Sequence, residues 1–223
     1  IPDSVIEIKN GAFWGCGNLT SVTVPNSVKI IDGDALASPW LDAQTEEFVI
    51  VGDGVLLDYN GTETDVVIPD TVKYISSAFE ENKTVTRVSI PDTVTGLGSS
   101  AFERCKNLTE VTIPNSVTSI GPSAFSKCTN LTEVVIPNSI TSIEEWTFNE
   151  CTNLSKVTIP DSVTYIGHRA FYDTSLAEVM VPSSVTQIVG EAFGNCGNLT
   201  IVCEAGSKAE TYASRNEIPY RIQ

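Results

Sequence analysis

Six cysteines, one histidine and a run of carboxylates are the side chains with the most chemical reach in this 223-residue chain. Thiols bridge or hold zinc, a histidine beside Ser or Cys drives acyl transfer, and grouped carboxylates hold calcium. Their spacing argues against each of these. Cys16, Cys105, Cys128, Cys151 and Cys196 share one position of a repeating unit, three residues after a phenylalanine, and Asn82 and Thr174 fill that position elsewhere. A small side chain is what the place requires, and a column of buried, reduced thiols is the expectation. Stacked units bring Cα atoms close enough to bridge, but their Cβ vectors run parallel where a relaxed disulfide needs them to converge. Ligands strung along such a ladder do not surround a zinc ion tetrahedrally either. Cys203 stands apart: it reads as the counterpart of Thr112 on an outward strand face, and so as the most reactive thiol.

The lone His168 falls beside Arg169 where a unit turns outward, and Glu144-Glu145 are adjacent in a turn and point apart, so neither supports catalysis. The chain is expected not to be an enzyme, and no cofactor is called for. Nine carboxylates (Asp32, Asp34, Asp42, Glu46, Glu47, Asp53, Asp58, Glu63, Asp65) run without a Lys or Arg between them. Asp58-Tyr59-Asn60-Gly61 has part of a calcium loop but lacks the alternating ligands and closing Glu. It reads as a solvated acidic hairpin, with no metal site. Asn-x-Ser/Thr sequons at Asn18, Asn107, Asn130, Asn153 and Asn198 read as by-products of the repeat. With 28 acids against 13 bases and a net charge of −15, the chain lacks the basic footprint that nucleic acid requires. No apolar run approaches the roughly 20 residues of a membrane helix.

The element that positions these residues is a repeat. An Ile/Val-Pro pair recurs at Ile1, Val24, Ile68, Ile90, Ile113, Ile136, Ile159 and Val181, at intervals of 22 or 23 residues with one of 44. From Leu108 the unit reads LTEVTIPNSVTSIGPSAFSKC, and from Leu131 it reads LTEVVIPNSITSIEEWTFNEC. Val111 and Ile113 point inward from a short strand while Glu110 and Thr112 point out. Pro114-Asn115-Ser116 stops the strand because Pro has no N–H for a ladder. Val117 and Ile120 re-enter the core from a second extended segment, and Ala124, Phe125 and Cys128 have the spacing of one buried helical turn. One unit is thus one lap of a flattened coil, and it buries its apolar side only by stacking on the next. About nine laps at about 4.8 Å make a rod of roughly 40–45 Å. Phe13, Phe79, Phe102, Phe125, Phe148, Phe171 and Phe193 are predicted to form one ladder, with Leu36 as the rung of the second lap. One-residue deletions fall in turns, before Ser76-Ser77-Ala78-Phe79 and within Tyr172-Asp173-Thr174-Ser175.

A single domain over residues 1–223 is expected. The 44-residue interval holds an insert at about 40–62, in which Phe48–Val51 and Val55–Tyr59 read as a β-hairpin around Gly52-Asp53-Gly54. Asn60-Gly61 turns the chain back into the stack. The tail at about 204–223 reads as a terminal cap. Ser207-Lys208-Ala209-Glu210 is a capping box opening a helix with Ala209, Tyr212 and Ala213 on one side, and Ile218–Ile222 reads as a closing strand. The chain opens inside a repeat with no cap before Ile1, so further laps are expected upstream and the lack of an export signal carries no weight.

These units resemble the BspA-type (Treponema-type) leucine-rich repeats, whose pattern is an L-x-x-L-x-I-P strand, then V-T-x-I-G, then A-F-x-x-C. Leu108–Cys128, Leu131–Cys151 and Leu154–Phe171 fit almost residue for residue, and the segments FVIVGDGVLLDYNG and AGSKAETYASRNEIPY resemble accessory parts of that family. The resemblance implies an α/β leucine-rich-repeat solenoid, a β-rich, right-handed coil or horseshoe, with a parallel sheet on its concave face and short helical turns on its convex side. It further implies secreted or surface-anchored bacterial proteins with proposed roles in adhesion to host matrix proteins and other cells, and no shared catalytic residues.

On that frame the strand face is the candidate binding surface. One outward column reads Ser21, Arg87, Glu110, Glu133, Lys156, Glu178, Ile201 and its neighbour Thr23, Ser89, Thr112, Val135, Thr158, Met180, Cys203, a broad and mildly acidic surface. Trp14, Trp40, Trp146 and Tyr172 form a second candidate. The expected function is a non-catalytic interaction or adhesion module of a cell-surface or secreted bacterial protein whose partner is a protein, host matrix included, or a glycan. A structural spacer presenting another domain and a carbohydrate-binding surface built on the tryptophans stay open beside it.

Overall fold

A computed structural model describes residues 1–36 and 39–223; the Asp34 side chain, one of the nine acidic groups, lies outside the described residues. The chain opens with β1 (Glu7–Ile8) and β2 (Ile30–Ile31), a 3-10 turn at Gly33–Leu36 and a short helix α1 (Pro39–Asp42). A hairpin follows, β3 (Phe48–Val51) and β4 (Val55–Tyr59). Three laps then contribute two strands each: β5 (Asp65–Val67) and β6 (Tyr74–Ile75), β7 (Arg87–Ser89) and β8 (Gly96–Leu97), β9 (Glu110–Thr112) and β10 (Ser119–Ile120). Three more do the same: β11 (Glu133–Val135) and β12 (Ser142–Ile143), β13 (Lys156–Thr158) and β14 (Tyr165–Ile166), β15 (Glu178–Met180) and β16 (Gln187–Ile188). The chain closes with β17 (Thr200–Cys203), helix α2 (Lys208–Arg215) and β18 (Tyr220–Ile222).

Strands of equivalent place in successive laps pair in parallel, as β5 with β7 and β7 with β9, or β6 with β8 and β8 with β10. Each lap therefore adds one strand to each of two faces, and the solenoid expected from the repeat is what forms. The third side of the lap is a run of consecutive turns in place of the expected helical turn. There the N–H groups of Ala124, Ser126 and Cys128 donate three residues back, while those of Ser123, Phe125 and Lys127 donate to carbonyls of Glu145, Thr147 and Asn149 on the next lap. Bonds within and between laps alternate, so this edge is both curled and cross-linked. In this lap the alternation is accompanied by left-handed backbone at Ser123 and Lys127.

Down the centre runs a column of rings. Phe79, Phe102, Phe125, Phe148, Phe171 and Phe193 are fully buried. Neighbouring centroids lie 5.0 to 5.5 Å apart with planes within 11° of parallel, the offset-stacked geometry that adds about 0.5–1.5 kcal/mol per pair beyond burial. Tyr212 of α2 closes one end edge-on at 6.0 Å, its hydroxyl accepting the Phe193 N–H. Tyr59 lies against Phe79 at 5.1 Å with its ring tilted by 33° at the other end, with Phe48 beyond it.

That last contact corrects the expected ladder. Leu36 and Phe13 are not rungs of this column, because the hairpin lies between them and Phe79. β4 pairs in parallel with β6 on one side and antiparallel with β3 on the other. Its side chains go two ways, and a register shift at Leu57 turns Tyr59 to the side of Leu56: Leu56 and Tyr59 join the main core, while Val55 and Leu57 join a separate cluster with Ile8, Val28, Ile31, Ala35 and Leu36. The insert is thus not a solvated excursion but a two-faced partition. Its turn demands glycine, since a Cβ on Gly52 would lie 2.5 Å from the Val28 carbonyl oxygen and one on Gly54 2.4 Å from that of Thr71, both with positive φ. The cap forms as expected: Ser207 Oγ accepts the Glu210 N–H, Glu210 reaches back to the Gly206 N–H at 2.6 Å, and Ala209, Tyr212 and Ala213 are buried.

The thiols lie against the ring column. Cys105, Cys128, Cys151 and Cys196 each donate to the carbonyl of the preceding lap's phenylalanine at 2.8 to 3.1 Å, and Thr174, in the same place, donates to the Phe171 carbonyl. Burial pushes Cys105 and Cys151 up to about 12 and Cys128 well above the ordinary thiol range. Cys16 departs from its column: it is exposed. Cys203 departs from the outward place expected of it. It is 1% exposed, because Thr200, the partner of Glu178, follows Leu199 directly, where Ala177 stands between Leu176 and Glu178. A one-residue change of register reverses which side chains face inward.

Three outcomes follow from this interior. Phe125→Ala should cost about 3–5 kcal/mol in urea unfolding, with a smaller loss for Phe13→Ala, whose ring is half-buried outside the column. Ellman's reagent should titrate Cys16 in the native protein, while Cys105, Cys128, Cys151 and Cys203 react only on unfolding. Thiols whose folded pKa exceeds the unfolded value of about 8.5 favour the folded state fully below that pH. Their contribution is lost as pH rises toward 12, because the unfolded chain releases protons that the folded one retains. The urea midpoint should therefore fall from about pH 9 upward, less steeply in Cys128→Thr.

Candidate interaction surface

The strand face is built by period-two alternation. Each of β5, β7, β9, β11, β13 and β15 is exposed, buried, exposed. Arg87, Glu110, Glu133, Lys156 and Glu178 accordingly stand in one outward column, and Thr112, Val135, Thr158 and Met180 in the next, as register partners on successive strands where these pair. Ser21 and Thr23 keep the alternation without forming a strand. The last rung differs from expectation: Thr200 and Val202, not Ile201 and Cys203, continue the columns from Glu178 and Met180. Two further members belong at the other end, since Asp65 and Val67 pair with Arg87 and Ser89. They follow the insert expected at about 40–62 and precede Ile68-Pro69, and the same Ile-Pro signature that marks every other lap places them in these columns.

The charges on this face are largely matched from lap to lap. Arg87 spans to Asp65 at 2.6 Å, Lys156 pairs with Glu133, and Arg221 of the closing strand reaches back to Glu178 at 3.0 Å. The Arg87 guanidinium holds the Asp65 carboxyl below its usual range. The expected mildly acidic surface is therefore close to self-neutralised along its charged column, and each such exposed pair adds little to stability. Beside it the second column holds large apolar side chains in water: Val67 is 74% exposed, Val135 57% and Met180 56%.

The face is not uniform. Among the described residues no strand pairing joins β9 to β11 on this face or β10 to β12 on the other. Those two laps are held by the turn ladder from Ser123, Phe125 and Lys127, by the rings of Phe125 and Phe148, and by the Cys151 thiol on the Phe125 carbonyl. A groove of about 610 Å3 opens at the seam, and its walls bring together Glu110, Thr112, Glu133 and Val135. A second hollow of about 290 Å3 lies between Asp65, Arg87 and the same Glu110 and Thr112. Lys156, Thr158, Glu178 and Met180 lie on the strands beyond and line neither.

The other residues singled out for chemistry are engaged in structure. His168 stands edge-on to Trp146 at 5.8 Å, and Arg169 covers the Tyr172 ring at 4.5 Å while pairing with Glu191 at 2.7 Å. Glu144 accepts the Ser142 hydroxyl at 2.6 Å. In the insert, Asp58 accepts the Tyr59 N–H and burial raises its pKa, which opposes the charged form that calcium needs. Asn60 donates to the Glu46 carbonyl at 3.1 Å, and among the described residues no three His, Cys, Asp or Glu side chains are grouped to hold a metal. Asn107 spends its amide on the Lys83 carbonyl of the preceding lap at 2.6 Å. Trp14 is exposed.

With the geometry in place, the comparisons with known proteins agree with it. No curated protein matches the chain. A leucine-rich cell surface protein of Faecalibacterium prausnitzii is 34% identical, with a TM-score of 0.55 over 72% of this chain and 54% of that one, so the chain spans about half the length of that relative. A T. pallidum leucine-rich repeat protein aligns over 81% of this chain and 96% of its own at 26% identity and a TM-score of 0.67. A Eubacterium ventriosum leucine-rich repeat protein aligns over 87% and 63% at 27% identity and a TM-score of 0.55. The profile described as the BspA type leucine rich repeat region matches in 6 copies over residues 1–44 and 73–200. The chain belongs to the BspA-type leucine-rich repeat family.

Proposed function

We propose that this chain is a non-catalytic protein-interaction module of a bacterial cell-surface or secreted protein, and that its strand face, centred on the seam between β9 and β11, is where an extracellular protein such as a host matrix protein docks. The observation that carries the reading is the column of Val67, Val135 and Met180. These side chains gain nothing by standing in water. Exposed large apolar groups aligned on one face beside polar, ion-paired neighbours have the make-up of a recognition surface, an apolar patch with a polar rim. The matched charge column suits that role, since a face of uniform sign would repel most acidic partners. The description of the Faecalibacterium relative as a cell surface protein supports the placement outside the cell.

The test is surface plasmon resonance of the chain over immobilised matrix proteins and mucins. Saturable binding to one of them is expected, weakened at least about tenfold, or about 1.4 kcal/mol, by Val135→Asp with Met180→Asp. Both positions are exposed, so the melting temperature should hold. Binding to nothing across the panel, or binding indifferent to the double variant, overturns the assignment.

A further inference from the structure

A second surface lies at the far end of the stack, on the other strand face. There β16 is the last strand of its sheet, and among the described residues it pairs only with β14. The strand face is closed differently, because β18 adds itself beside β17. Where a further lap would place its next strand beside β16, the chain instead turns through α2, and a cleft of about 310 Å3 remains between Thr186–Ile188 and the helix. Lys208, Thr211 and Arg215 line it from α2. The two cations are seven residues apart on one helix face, about 10.5 Å along its axis.

This is an unusual corner of a chain with net charge −15. No carboxylate is among the lining groups. Neither Lys208 nor Arg215 forms an ion pair among the described residues, whereas Arg87, Arg104, Lys156, Arg169 and Arg221 all do. The nearest helical acid, Glu210, is occupied with the Gly206 N–H. The cleft thus offers an unpaired strand edge on one wall and two uncompensated cations on the other.

We propose that it binds an extended, acidic peptide segment, which adds as a strand along the free edge of β16 and directs carboxylates to Lys208 and Arg215. The edge supplies main-chain hydrogen bonds, and the cations select the side chains. The site is independent of the docking face proposed above, being carried by different strands and by α2.

The experiment is fluorescence anisotropy of the full chain with a fluorescein-labelled peptide Glu-Val-Glu-Val-Glu-Val as the probe. Saturable binding that weakens with salt is expected, reduced at least about tenfold in K208E with R215E and unchanged in V135D with M180D. The cation substitutions place opposite effects at the two ends of the helix dipole, so circular dichroism should show α2 retained. A backbone N-methylated version of the same peptide, which keeps the charges and loses the strand bonds, should not bind. Three results would overturn the proposal: no saturable binding at millimolar peptide, undiminished binding by the double variant, or equal binding of the N-methylated peptide or of a sulfated oligosaccharide, either of which reduces the cleft to a general anion trap.

Discussion

A lap of this chain cannot hide its own phenylalanine, and that inability governs the rest. The ring of Phe102 is dry only because Phe79 and Phe125 lie 5.0 and 5.2 Å above and below it. Every lap is therefore both guest and lid, and the stack needs something at each end that is not another lap. At the C-terminal end Tyr212 meets Phe193 edge-on, a tilt that stops the column because a ring standing at 67° offers no parallel face to the next. Stability in such a structure is a chain of nearest-neighbour dependencies, without the single shared interior of a closed globule.

How far this was legible from residues alone can be argued from particular elements. The interval of 23 residues gives the lap, Ile113-Pro114 gives the end of its first strand, and the Ser207–Glu210 box gives the cap, because each is a local rule with one geometric solution. The hairpin too is legible as a hairpin, down to its bounds. What could not be read is where it goes. Nothing local in Val55–Tyr59 says that β4 will pair with β6 and that Tyr59 will take the ring position beside Phe79. That choice is made by long-range packing, and it displaced Leu36 from the column. The misplacement of Cys203 has a different origin: parity along a strand is unforgiving, and one residue fewer after Leu199 inverts it.

The candidate surface was legible in the same measure. Alternation placed Arg87, Glu110, Glu133, Lys156 and Glu178 outward, and so they are. Their pairing with Asp65 and Arg221 was not readable, because both partners come from atypical segments, the lap after the hairpin and the closing strand. The seam between β9 and β11 is also invisible in the residues, since the units on either side of it are among the most alike in the chain. Like sequence stacked on like sequence still leaves the number of strand-to-strand bonds to the geometry of the whole rod.

The two-faced hairpin carries a last consequence. Because β4 gives Val55 and Leu57 to one cluster and Leu56 and Tyr59 to the other, the laps on its two sides bury most of their apolar side chains apart, with Tyr74 leaning on the first cluster and the Ser76 hydroxyl reaching the Ile31 carbonyl. A bulkhead in a ship's hull does the same service: flooding on one side need not spread. Damage to the laps before residue 36 therefore reaches the phenylalanine column chiefly by way of the hairpin, whose two faces blunt it before it meets the stacked rings.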